Sequence, residues 1–139
     1  MVYTRTFAIP FRPVARPDAI VRGPGVRLTA LTSRLLRLEF DPQERFEDRP
    51  SQPFWFRDQP APPLAVRRPP GRIEVETDDL ALCYAGSGAG FAPDTLSITL
   101  KASGRVWRYG DPDAGNLLGT ARTLDQADGA LALDPGLLS

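Results

Sequence analysis

Val26-Arg27-Leu28-Thr29-Ala30-Leu31 is followed by Thr32-Ser33-Arg34 and then by Leu35-Leu36-Arg37-Leu38-Glu39-Phe40. The first run alternates with Val26, Leu28 and Ala30 on one face. The second alternates with Leu36, Leu38 and Phe40 together. Side chains of a strand point to opposite faces in turn, so two such runs around a short polar turn predict a β-hairpin with one apolar face.

The same signature recurs outward from this hairpin. Upstream, residues 1–24 carry Pro10, Pro13 and Pro17 and read as an extended N-terminal arm closed by the turn Gly23-Pro24-Gly25. Downstream, 41–53 reads as a loop and Phe54-Trp55-Phe56-Arg57 as a short aromatic strand. Pro60, Pro62, Pro63, Pro69 and Pro70 surround Leu64-Ala65-Val66-Arg67-Arg68, which predicts a rigid connection at a sheet edge rather than a polyproline ligand. Ile73 and Val75 share a face, as do Leu80, Leu82 and Tyr84 after the turn at Asp78-Asp79. Two further runs, 96–101 and 105–109, flank Ala102-Ser103-Gly104. Strand signals at intervals of roughly 8–12 residues indicate an all-β, antiparallel β-sandwich. No window supports a long amphipathic helix among the 15 prolines and 12 glycines.

Composition removes whole classes of chemistry. The 139 residues are enough for one self-sufficient core, and the formal net charge is +0, which gives no drive toward nucleic acid or an anionic membrane. The chain has no histidine, so a Ser-His-Asp or Cys-His site and any His-ligated metal are excluded within it. A single cysteine, Cys83, permits neither an intrachain disulfide nor a Cys-cluster zinc site, and its apolar surroundings read as a buried structural thiol. No metal and no cofactor is expected. Lys101 is the one lysine among 17 basic residues, a bias read as genomic composition. No run of signal-peptide or membrane-spanning length occurs, which predicts a cytoplasmic location.

Individual motifs yield little. Gly86-Ser87-Gly88-Ala89-Gly90 lacks the spacing of a dinucleotide or phosphate loop and leads into a strand, so it reads as a flexible hairpin loop. Glu47-Asp48 and Asp111-Pro112-Asp113 could supply acid/base carboxyls, but glycoside hydrolysis needs two of them about 5–9.5 Å apart across a sugar. Adjacent loop carboxylates are better explained as solvated turn residues and local caps. Trp55, Phe56, Trp107 and Tyr109 could stack on sugars; core packing is the expected role.

Four pieces together carry a resemblance: Leu-Leu-Arg-Leu-Glu-Phe-Asp at 35–41, Phe-Glu-Asp-Arg-Pro-Ser at 46–51, Asn-Leu-Leu-Gly-Thr-Ala-Arg-Thr-Leu-Asp at 116–125 and Gly-Leu-Leu-Ser at 136–139. In this order they resemble the N-terminal domain of family 31 glycoside hydrolases, the α-glucosidase and α-xylosidase family. The resemblance spans about residues 20–139. It implies a galactose-mutarotase-like β-sandwich at 25–139, cut before a (β/α)8 catalytic barrel that would be its partner. It also implies α-linked oligosaccharides or glycosides as the substrate class. The family's two catalytic aspartates lie on the barrel, so no catalytic residue falls in this chain. The stretch 116–125 reads as a junction docking on the barrel, with Thr120, Arg122 and Asp125 as candidate substrate-binding residues at the rim of a sugar site. A stand-alone carbohydrate-binding module and a protein-interaction domain are the competing readings. The accessory-domain reading further expects an exposed apolar patch.

Overall fold

The computed structural model describes residues 10–51, 53–86 and 88–112. Eight strands form two antiparallel sheets. Strands β1 (Ile20–Gly23), β2 (Val26–Thr32) and β3 (Leu35–Phe40) make a three-stranded sheet in that order. Strands β4 (Ala65–Arg67), β5 (Ile73–Glu76), β6 (Leu80–Tyr84), β7 (Leu96–Leu100) and β8 (Arg105–Arg108) make a five-stranded meander. The all-β sandwich anticipated from the alternating runs is therefore present.

The inward faces meet in one core. Val21, Val26 and Leu28 come from the small sheet, and Ile73, Val75, Leu82, Tyr84 and Leu96 from the large one. Leu36, Leu38, Leu64, Phe91, Ile98 and Trp107 pack around them. Burying one such side chain is worth about 1.5–3 kcal/mol, so these residues carry most of the association between the sheets. Polar ties close both ends of β2. The Thr77 hydroxyl donates to the Ser33 carbonyl at 2.6 Å, and an Arg68 N–H donates to the Arg22 carbonyl at 2.9 Å.

Turn chemistry explains two connections. Pro24 and Gly25 link β1 to β2, and Gly25 sits at φ +67°, a conformation glycine adopts without steric cost. Gly86 lies directly against the Tyr84 ring and hydroxyl, where a Cβ would overlap them. Tyr84 is 1% exposed and cannot yield that space cheaply. The stretch that begins at Gly86 thus acts, in its described part, as a close-packed loop between β6 and β7.

Several expectations need correction. Residues 10–24 are not a free arm: 20–23 form β1, paired from Ile20↔Thr29 to Gly23↔Val26, and Ala15, Ala19 and Val21 are buried. A 3₁₀ turn over Pro17–Ala19 feeds this strand, and its single turn breaks the extended run that the prolines suggested. Residues 54–57 are not a strand; they make only isolated bridges, Ser51↔Phe54 and Arg12↔Phe56. Trp55, Phe56 and Tyr109 are exposed rather than core, at 38%, 40% and 43%. Trp107 alone of the four aromatics packs against the core. Cys83 alternates with Leu82 and Tyr84, so it faces outward and is only half-buried. The proline-flanked segment does form a sheet edge, as β4.

Candidate functional site

The most constructed polar region lies on the outward face of the three-stranded sheet. Register places Arg22, Arg27 and Glu39 side by side across β1, β2 and β3, with Arg37 two residues from Glu39 on the same face. In a two-layer sandwich this face would meet water. Here the loop 41–57 covers it, and Arg27 is only 3% exposed.

A guanidinium cannot be buried without charge and hydrogen-bond partners. Arg27 has both. Its Nε and Nη2 grip the Glu39 carboxylate at 2.7 and 2.9 Å, and its Nη1 donates to Asp48 at 2.7 Å. Phe46 lies flat against it, with the guanidinium carbon 5.0 Å from the ring centre, and Arg22 contributes a second contact at 5.5 Å. The backbone carbonyl of Glu47 is the pivot. It accepts from Arg27 at 3.2 Å, Arg37 at 2.8 Å and Arg57 at 3.2 Å. Arg57 also donates to the Arg49 carbonyl at 2.9 Å.

Three guanidiniums thus face two carboxylates, Glu39 and Asp48, and a backbone dipole. The Glu39 hydrogen bond raises the pKa of Arg27 further. Burial and then the neighbouring Arg37 lower that of Arg57, which has no carboxylate of its own and whose Nε is buried without a partner among the described residues. Glu47 is held down to about 2 by Arg49, which chelates it from the next turn of the loop.

This arrangement is a clamp and not an acid/base pair. General acid catalysis needs a carboxyl with a raised pKa. Every carboxylate with a displaced pKa among the described residues, namely Asp18, Glu47, Glu76 and Asp79, is displaced downward, by Arg16, Arg49, Lys101 and Arg34 respectively. Glu47 and Asp48 were expected as solvated turn residues; Asp48 is half-exposed yet pins the loop to Arg27. Asp111 does cap locally, accepting the Arg108 N–H at 2.8 Å. Among the described residues no group of His, Cys, Asp and Glu could hold a metal ion.

What the clamp presents outward is aromatic. The backbone of Arg12 is stitched to the loop: its N–H donates to the Trp55 carbonyl at 3.0 Å, and its carbonyl accepts from Arg57 at 2.7 Å. Phe11 meets Trp55 edge-on, centres 5.5 Å apart, and the Arg12 guanidinium lies 5.6 Å from the Phe56 ring centre. Arg12 pairs with Asp58 at 3.2 Å beside them. A second apolar exposure occurs where the five-stranded sheet extends past its partner. Leu100, Arg105, Trp107 and Pro112 line an open depression of about 250 Å³ there, and Tyr109 touches Trp107 edge-on.

The nominated residues Thr120, Arg122 and Asp125, the whole of 116–125 and Asp113 lie outside the described residues. The clamp residues Arg27, Arg37 and Arg57 were not singled out from sequence. The available signal was the arginine in each of two facing β-runs, with Glu39 two residues after Arg37. No helix of the described residues is long and apolar enough to cross a membrane. No family model matches the chain, and no curated protein matches it.

Proposed function

We propose that this chain is a non-catalytic accessory domain of a retaining α-glycosidase of the α-glucosidase type, a galactose-mutarotase-like sandwich that buttresses a (β/α)8 barrel and shapes its substrate entrance. A cytoplasmic location goes with this reading. The observation that carries it is the convergence of Arg27, Arg37 and Arg57 on the Glu47 carbonyl. That convergence fixes 46–51, one of the four stretches resembling family 31, as a rigid structural loop whose carboxylates are committed to arginines. The apolar exposure at Leu100, Trp107 and Tyr109 supplies the docking surface this role needs.

The test has two arms. The chain alone is incubated with p-nitrophenyl α-glucoside and α-xyloside, and no turnover above a buffer control is expected. It is then co-expressed with a family 31 barrel stripped of its own sandwich, and the two are expected to co-elute. Turnover by the chain alone, or failure to associate, overturns the proposal. A stand-alone carbohydrate-binding role is the second reading, favoured by the exposed Trp55 beside the Arg12–Asp58 pair.

A further inference from the structure

We infer that Phe11, Trp55 and Phe56, with Arg12 and Asp58, form a surface platform that binds a glycan chain directly. The inference deepens the accessory-domain reading and rests on it only for the choice of α-linked glucans.

Three features of this surface point to a sugar. The first is shape. Trp55 and Phe56 are adjacent, solvent-facing rings at 38% and 40% exposure, and no cavity encloses them among the described residues. An open aromatic surface suits a ligand that lies flat and extends past it. The apolar C–H face of a pyranose stacks on such rings.

The second is the polar pair beside the rings. Arg12 offers N–H donors and Asp58 offers carboxylate acceptors, 3.2 Å apart and mutually neutralised. A ligand bearing a net charge gains little from a neutral pair. A ligand with vicinal hydroxyls, each both donor and acceptor, can engage the two at once. Arg12 is the more available, with its side chain 69% exposed against 31% for Asp58.

The third is rigidity. Exposed aromatics on a loop normally lose conformational entropy on binding. Here Trp55 and Phe56 are held before the ligand arrives, by the Arg12–Trp55 and Arg57–Arg12 backbone bonds. Arg57, itself 3% exposed and bonded to the Glu47 and Arg49 carbonyls, anchors the residue after Phe56 in the clamp. The clamp and the platform are therefore one device: buried arginines set the position of the rings.

The full chain is titrated calorimetrically with maltose, maltoheptaose and cellohexaose. The expected result is millimolar or tighter binding of maltoheptaose, weaker binding of maltose, and an affinity loss of about tenfold in Trp55→Ala. Trp55→Phe is expected to keep part of the affinity and Tyr109→Ala all of it. Thermal melts establish that each variant is folded. Absence of heat with every glucan, or equal affinity of Trp55→Ala and the parent chain, overturns the platform and leaves the surface as a protein-docking face. Trp55-dependent binding of cellohexaose in place of maltoheptaose supports the platform while overturning the α-glucosidase reading, so the two can fail separately.

Discussion

The outward faces of the two sheets have been solved in opposite ways. On the five-stranded sheet, Arg67, Glu74, Glu76, Cys83, Ser97 and Thr99 stand at the surface, and Arg67 pairs with both Glu74 and Glu76 in contact with water. On the three-stranded sheet, Arg27 sits as deep as a core leucine and is satisfied on every side by Glu39, Asp48 and a loop carbonyl. Both faces show charge every second residue in the sequence. The difference is whether a loop returns over them. A return loop converts solvent-facing arginines into fasteners, and it makes a three-stranded sheet, too small to hold its own fold, part of a three-layer stack.

The sharpest way to break this comparison is Arg27→Ala. It strands the Glu39 carboxylate at low exposure and frees Asp48, and loss of one partner of a buried ion pair costs roughly 3–5 kcal/mol. Urea unfolding should show this as a large drop in midpoint, whereas Arg67→Ala on the other sheet should leave the midpoint unchanged within measurement scatter. Similar losses at the two positions would remove the distinction. Gly86→Ala probes the shared core instead. The added methyl collides with Tyr84, and overpacking of about 1–3 kcal/mol is expected in the same assay.

Arg57→Met sharpens the picture within the clamp. Arg57 carries a desolvation cost without a carboxylate partner, so its removal should destabilise less than that of Arg27, by about 1–3 kcal/mol for the two released carbonyls. Backbone hydrogen exchange at 46–51 should nevertheless accelerate; unchanged protection there would dissociate Arg57 from the loop. The smallest effect concerns Glu47. Its carboxyl is depressed from 4.5 to about 2 in the folded chain, so the Arg49 contact contributes fully above pH 4.5 and disappears as pH falls through about 2. A carboxyl NMR titration should show this midpoint, moving up toward 4.5 in Arg49→Gln. A midpoint already near 4.5 in the parent chain would show that the exposed pair does not form.

The strands of the five-stranded sheet were legible because each buries one face only. Ile73 and Val75, Leu82 and Tyr84, and Leu96 and Ile98 stand two apart in sequence and share the inward side. The hairpin at 26–40 was legible for the same reason on its inner side. Its outer side was not: an arginine between two apolar residues reads as solvent-facing, and only a distant loop reveals otherwise. Arg27 and Asp48 are 21 residues apart, a separation that periodicity does not see. Strand β1 was hidden by the prolines before it. Phe54 to Arg57 misled in the other direction, since aromatic residues favour strands but also furnish exposed loop surfaces. Of the site, the aromatics Trp55 and Phe56 were visible as residues with two possible roles. Their exposure, which separates those roles, is a property of the fold.

The edge strand β4 has a consequence for how copies of the molecule behave toward one another. It is three residues long, with Pro62 and Pro63 before it and Pro69 and Pro70 after it. An unpaired strand edge is a template on which another chain can zip, extending one sheet into a fibre. Residues without an N–H bracket this edge on both sides, so a second chain finds too few consecutive donors to gain register. At concentrations where an open five-stranded meander would otherwise grow by edge-to-edge addition, this border should remain closed to its own kind.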